Sequence, residues 1–344
     1  MDNSYNIKIG KPFKNFNLEK LISFLDKNGI TYDNKITYTI IISDSANNVI
    51  ATGSLDHNII KCVAVDNTHR NENLTSTLMT NLLNESINSG YDKLFIFTKV
   101  KNETIFKQFG FYTIEKTDKI LLMENKKNGF NNYLKEIINN TKSFDIKEND
   151  KIGCIIANCN PFTNGHLYLI TEAAKQCDFL HVFILSGNND YFTEEERFQL
   201  VKKGLSKIQN IILHRAKEYI LSPLTFPTYF LKDSIQTTSI NCELDINIFL
   251  NKIAPTLNIK YRFVGTEPKD LVTNSYNQEL INHLKDSPVE LIILKRKEVN
   301  NTVISASTVR KFIDEKNINE IKNFVPNSTY EFIRSKFFTN LDSK

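Results

Sequence analysis

Hydrophobic and polar positions change texture part-way along the chain. Residues 36–64 hold three β-rich runs, split by polar turns at Ser43–Asn48 and Asp56–Asn58, which predicts three short strands. Leu74, Leu78, Leu82, Leu83 and Ile87 then recur at three- and four-residue steps, the spacing of one helix face. Lys93–Thr98 reads as a buried strand, a short helical segment ends in Phe109-Gly110-Phe111, and a last strand falls near Lys119–Met123. Residues 124–150 are charged and Asn-rich around one amphipathic segment, which marks a domain boundary.

Beyond it the pattern is different. Lys151–Ala157 is a continuous apolar run, as a strand buried on both faces requires. A helical pattern runs from His166 to Lys175, and Phe179–Leu185 is a second buried strand. Thr193 with Glu196 three residues on predicts a capping box that opens a helix through Leu205. Strands near Asn210–Leu213, Lys260–Val264 and Val289–Leu294 follow. Strands alternating with helices predict an α/β fold: a doubly wound, mostly parallel sheet that binds ligands at the carboxyl ends of its strands. The expected division is a first α+β domain over residues 1–125, a linker over 126–149, and the parallel-sheet domain over 150–344.

The length of 344 residues suits two domains. A net charge of +4 offers no magnet for a polyanion, so neither nucleic acid nor a membrane surface is an expected partner. No apolar run approaches the roughly 18 residues of a membrane helix, and the start MDNSYNIKIGKPF is not a signal peptide. The five cysteines are odd in number and lack C-x-x-C spacing, so neither a disulfide framework nor a metal site is expected. A reducing, cytoplasmic compartment fits these features. Phosphate-loop, dinucleotide, zinc-protease and serine-hydrolase motifs are missing. With only 11 glycines in the chain, each one inside a motif calls for a reason.

Two segments carry candidate chemistry. Asn158-Cys159-Asn160-Pro161-Phe162-Thr163-Asn164-Gly165-His166 lies between a buried strand and a helix start. Backbone N–H groups there carry partial positive charge, Gly165 allows a phosphate to approach, and Thr163 and His166 can donate to it. A plain strand-to-helix turn capped by Thr163 accounts for the same spacing. Ser305, Ser307 and Arg310 open a later helix; two hydroxyls and a guanidinium suit outer phosphates, and a serine N-cap is the plainer alternative. Gly265 ends a predicted strand at the ligand edge, where adenine or ribose can approach, or where a simple turn suffices. Arg197 and His214 each have a substrate and a surface reading; Cys159 reads as packing.

Together, Thr163-x-Gly165-His166 and Ile304-Ser305-x-Ser307-x-x-Arg310 resemble the HxGH nucleotidyltransferase superfamily, with Thr163 in place of the first His. The resemblance implies a Rossmann-like sheet, attack on the α-phosphate of ATP, and release of pyrophosphate. It assigns Thr163 and His166 to catalysis at the α-phosphate. It assigns Ser305, Ser307 and Arg310 to the β- and γ-phosphates with Mg²⁺, and Asn158, Asn160, Pro161, Phe162 and Gly165 to the nucleotide loop. With Leu224–Leu231, Ile253–Leu257, Arg262–Pro268 and Tyr276–Gln278 in this order, the chain is similar to the citrate (pro-3S)-lyase ligase family. That family uses ATP and acetate to acetylate the prosthetic thiol on the acyl carrier subunit of citrate lyase, and Gly265 and Glu267 then fall at its nucleotide. The first domain resembles the GNAT acetyltransferase fold. It departs from that fold's pyrophosphate loop at Arg70-Asn71-Glu72-Asn73-Leu74, where Asn replaces both expected glycines. An adenylyltransferase acting on a nucleotide or phosphopantetheine-like acceptor fits the phosphate motifs equally. A non-catalytic docking module is the third reading.

Overall fold

The computed structural model describes residues 5–70, 72–187, 191–220, 235–266, 271–295, 298–299 and 302–338. Two compact units divide the chain: Met1–Phe130 together with Pro227–Ile240, and Asn131–Phe226 together with Asn241–Lys344.

The first unit contains β1 (Asn6–Gly10), α1 (Asn15–Lys27), β2 (Tyr38–Ser43), β3 (Val49–Asp56), β4 (Ile59–Val65), α2 (Leu74–Asn88), β5 (Phe95–Lys99), α3 (Glu103–Gln108), β6 (Tyr112–Lys116) and β7 (Ile120–Glu124). Its seven strands lie in the order β1-β2-β3-β4-β5-β7-β6. Every neighbouring pair is antiparallel except β4 with β5. Successive side chains of a strand point to opposite faces, and β2 uses both. Ile40 and Ile42 pack with Leu78 and Leu82 of α2, while Ile41 packs with Leu21 and Leu25 of α1. β4 and β5 pair only at Ile59–Phe95 and Ile60–Ile96, then part company although both strands continue. Asn73, one of the two asparagines standing for glycine, has φ +56, the left-handed conformation that Asn tolerates better than most residues. Asn71 lies outside the described residues.

One buried charge cluster pins this unit. The Lys61 ammonium lies 2.6 Å from both Asp33 and Asp56, with all three side chains under a tenth exposed. His57 Nδ1 is 2.8 Å from the second oxygen of Asp56. Burial raises the Asp56 carboxyl, but the hydrogen bonds from Lys61 and His57 outweigh it and hold it below its usual range.

The second unit begins inside the expected linker, whose amphipathic segment is helix α4 (Gly129–Asn139) with Tyr133 and Ile137 buried. Then come β8 (Ile152–Ala157), α5 (Asn164–Ala174), β9 (Phe179–Ile184), α6 (Glu194–Gly204), β10 (Ile211–Arg215), α7 (Ile235–Ile248), whose residues up to Ile240 belong to the first unit, and the single turn α8 (Ala254–Thr256). β11 (Tyr261–Gly265), α9 (Leu271–Leu284), β12 (Glu290–Leu294) and the hairpin β13 (Glu298–Val299) with β14 (Thr302–Val303) follow. Three helices close the unit: α10 (Ala306–Asp314), α11 (Ile318–Phe324) and α12 (Asn327–Phe337). The five main strands are all parallel, in the order β10-β9-β8-β11-β12. β8 is central, as its unbroken apolar run requires, and Ile155 packs in one core with Ile170, Val182, Leu200, Phe263 and Val309. The fold class is the expected one: an α+β unit on a mostly antiparallel sheet, then a doubly wound parallel sheet. Its chain order reverses at β8, with β9 on one side and β11 on the other, which makes the carboxyl end of β8 the switch point where open sheets bind ligands.

Candidate functional site

The loop after β8 is built around a reciprocal cap. Thr163 is the N-cap of α5; its Oγ1 accepts from the His166 backbone N–H at 3.3 Å, and the Thr163 N–H donates to His166 Nδ1 at 3.1 Å. The plain cap and the phosphate reading therefore coexist. Because Nδ1 accepts, the neutral ring carries its proton on Nε2, the nitrogen that can donate to an oxyanion. The Phe162 ring stacks on His166 with centroids 6.2 Å apart and 14° between planes. Phe162 is fully buried, and a Cβ on Gly204 of α6 would lie 2.4 Å from its ring. Its place is thus beneath His166, which it holds, rather than against a nucleotide. Pro161 follows Asn160 through a cis peptide bond, and Cys159 has φ +51.

The two motifs meet. A Cβ on Gly165 would stand 3.0 Å from the Ile304 carbonyl oxygen and 3.4 Å from its Cβ. The room expected for a phosphate beside the Gly165 Cα is taken by Ile304, so the glycine admits the second motif. Arg310, six residues further on, donates from Nη1 to the Asn160 carbonyl at 2.5 Å and lies over the Tyr191 ring, 5.8 Å from its centroid. Ser305 caps α10, accepting from the Thr308 N–H at 3.1 Å, with Ser307 Oγ 2.9 Å and Thr308 Oγ1 2.8 Å away. Gly165, His166, Thr163, Asn160, Ser305, Ser307 and Arg310 are thereby gathered at one end of β8. Gly265 ends β11, beside β8; its carbonyl accepts from Asn277 Nδ2 at 3.3 Å. Glu267 and the segment 224–231 lie outside the described residues.

The residue that sequence reasoning left ambiguous organises the loop. Arg197 is 0 % exposed. Its Nη1 donates to the Asn158 carbonyl (2.7 Å), Asn158 Oδ1 (2.9 Å) and the Leu185 carbonyl (2.8 Å), and Nη2 donates to the Gly187 carbonyl at 2.5 Å. One guanidinium thus ties the chain past β8 to the chain past β9. The signal was available: Arg197, Leu200 and Val201 follow the i, i+3, i+4 spacing of a buried face. Cys159 is fully buried and burial pushes its thiol up to about 12, so it stays a protonated packing group. His214, read as touching substrate or solvent, does neither. It is fully buried, 2.8 Å from His181 Nδ1 and stacked on Phe183. Burial lowers both rings, His181 to about 4, so the pair is neutral at pH 7.

Among the described residues no group of three or more His, Cys, Asp or Glu could hold a metal ion, and no helix is long and apolar enough to cross a membrane. A family model for the citrate lyase ligase C-terminal domain matches residues 152–333. A [citrate [pro-3S]-lyase] ligase of Escherichia coli is 37% identical over 331 residues, covering 94% of this chain and 92% of that one. The chain belongs to the citrate lyase ligase family. A second such relative, from Klebsiella pneumoniae, is 34% identical over 298 residues, 85% of this chain and 86% of its own. The likeness to a phosphopantetheine adenylyltransferase of Streptococcus uberis is narrower: 26% identity over 160 residues, 44% of this chain and 95% of that one. Among solved structures, an acyl-CoA N-acyltransferase of Pseudomonas aeruginosa aligns with 36% of this chain and 100% of its own at 13% identity and a TM-score of 0.31. Both phosphate motifs fall within the stretch matched by the family model.

Proposed function

We propose that this chain is an ATP-dependent acid–thiol ligase that acetylates the prosthetic thiol of the citrate lyase acyl carrier subunit. Residues 150–344 form the ATP-using domain, residues 1–125 the GNAT-like domain, and 126–149 join them. The observation that carries this reading is the seating of Ile304 on Gly165 with Arg310 on the Asn160 carbonyl, which unites two distant motifs at one strand end. An acetate oxygen bonds to the α-phosphorus of ATP as the α–β bridge oxygen departs with pyrophosphate. The thiol sulfur then bonds to the acetyl carbon, its proton is released, and AMP leaves with the former acetate oxygen.

Thr163 and His166 hold the α-phosphate, with His166 donating from Nε2. Ser305, Ser307 and Arg310 hold the β- and γ-phosphates, and Asn158, Asn160 and Pro161 with Gly265 and Glu267 complete the nucleotide site. These roles are positioning and charge stabilisation, the main work of phosphoryl chemistry. Mg²⁺ fits this donor set only as part of the nucleotide, since it binds largely through substrate phosphates and its own waters. Acetate-dependent exchange of pyrophosphate into ATP, with no carrier protein present, tests the reading. Exchange that requires acetate supports it; a stable AMP-bearing product on a phosphopantetheine-like acceptor replaces it with adenylyl transfer.

A further inference from the structure

Three buried polar atoms at the carboxyl edge of the parallel sheet have no hydrogen-bond partner among the described residues: Asn160 Oδ1, Ser186 Oγ and Arg197 Nε. Asn160 stands past the end of β8, Ser186 past the end of β9, and Arg197 is the α6 residue that joins the two. Arg197 donates to the carbonyls of Leu185 and Gly187, the residues on either side of Ser186. The Ser186 backbone is therefore held against a fully buried guanidinium. All four acceptors of that guanidinium are neutral oxygens, and no carboxylate pairs with it among the described residues. Neutral oxygens accept from its Nη1 and Nη2, but its Nε–H has no partner among the described residues and its charge is not paired. Glu194 acts on it electrostatically but is not in ion-pair contact; a buried charge held only by neutral oxygens is costly, and a bound anion would offset that cost.

Topology indicates which anion. The nucleotide candidates follow β8 and β11, whereas Ser186 and the Leu185 and Gly187 carbonyls that Arg197 holds follow β9, on the other side of β8. The two sides of a switch point can receive two substrates.

We propose that Ser186 and Arg197 form the subsite for the small carboxylate substrate, on the β9 side of the nucleotide. The Ser186 hydroxyl donates to a carboxylate oxygen, and Arg197 supplies the compensating charge while it holds the loop. This assignment rests on the ligase reading above and deepens it.

Ser186→Ala is the test, since it removes only a hydroxyl that has no partner among the described residues. In acetate-dependent ATP–pyrophosphate exchange, the KM for acetate rises about tenfold, one hydrogen bond's worth. The KM for ATP and the kcat stay within about twofold of wild type, and the melting temperature does not fall because no contact is lost. An unchanged acetate KM, or an ATP KM that rises as much, overturns the assignment. A wild-type protein silent in exchange overturns the ligase reading instead. In that event the rise in melting temperature with acetate over chloride, compared between wild type and Ser186→Ala, still decides: loss of the rise in the variant supports the subsite. Equal behaviour of the two proteins, with or without a rise, overturns it.

Discussion

Two buried cations separate the working edge of this molecule from its supporting framework. Lys61, in the first unit, is matched by two carboxylates at 2.6 Å, one of them braced by His57. Arg197, in the second, is matched by carbonyl and amide oxygens alone. Of the six buried side-chain atoms without a partner among the described residues, none belongs to the Lys61 cluster, and three lie at the Arg197 strand ends. A closed network is complete without a ligand and serves stability; an open one at the carboxyl edge of a parallel sheet is where a ligand is expected.

The largest expected effect tests the closed side. Lys61→Met strands two buried carboxylates, and breaking a buried ion network in this way costs about 3–5 kcal/mol. Urea unfolding measures the loss. Acetate-dependent exchange by the fraction that remains folded stays at the wild-type level. A variant as stable as wild type would show that the Asp33–Lys61–Asp56 cluster is not the pin it looks like.

His166→Ala tests the open side. Loss of one preorganised donor to a developing oxyanion lowers exchange by about 10²–10³-fold. The half of the capping box that disappears costs stability only about 1 kcal/mol. Activity and stability thus move in opposite proportion to those of Lys61→Met. A drop in melting temperature with exchange intact would reduce His166 to a cap.

How far the sequence carried the reading follows the same division. The β8 run, both capping threonines and the two phosphate motifs were legible because each is local: an apolar stretch, a fixed spacing, a hydroxyl before a helix. β1, α1 and β6 were missed. Ile7 and Ile9 of β1 face outward at 45% and 52% exposure, and β6 buries only Ile114, so neither shows a strand's alternation toward a core. The roles of Phe162, Gly165 and Arg197 were legible only in part, because each depends on a neighbour far away in sequence: Gly204 for the ring, Ile304 for the glycine, Leu185 and Gly187 for the guanidinium.

The buried histidine pair gives a smaller, pH-dependent effect. His181 and His214 are neutral in the folded chain because burial lowers both, His181 to about 4. The unfolded chain takes up protons below the ordinary histidine value, about 6.5. Stability from this pair is therefore complete above about pH 6.5 and is lost as pH falls toward 4, by about 3 kcal/mol for His181 alone. Asp56, which lies below the usual carboxylate range, loses its contribution only at lower pH, so the two windows separate. Urea midpoints from pH 7.5 to 4.5 measure the slope, and His181→Leu flattens it. A variant with the wild-type slope would place the titrating groups elsewhere.

The smallest effect compares the two strand-to-helix corners. Thr163 caps α5 with its own side chain, whereas Asn73, at the start of α2, makes no side-chain cap and holds φ +56. Its contribution is conformational, so Asn73→Gly relieves strain and stays within a few tenths of a kcal/mol of wild type or slightly above it. Asn73→Ala must put a Cβ into the left-handed region, at a cost of about 1 kcal/mol. Neither change alters acetate-dependent exchange measured without carrier, because Asn73 lies outside the nucleotide and carboxylate sites assigned to the second unit. Melting curves for the two variants check the first part, and exchange rates check the second. A fall in exchange with either variant would break the comparison, since it would make the Asn73 corner a second working edge.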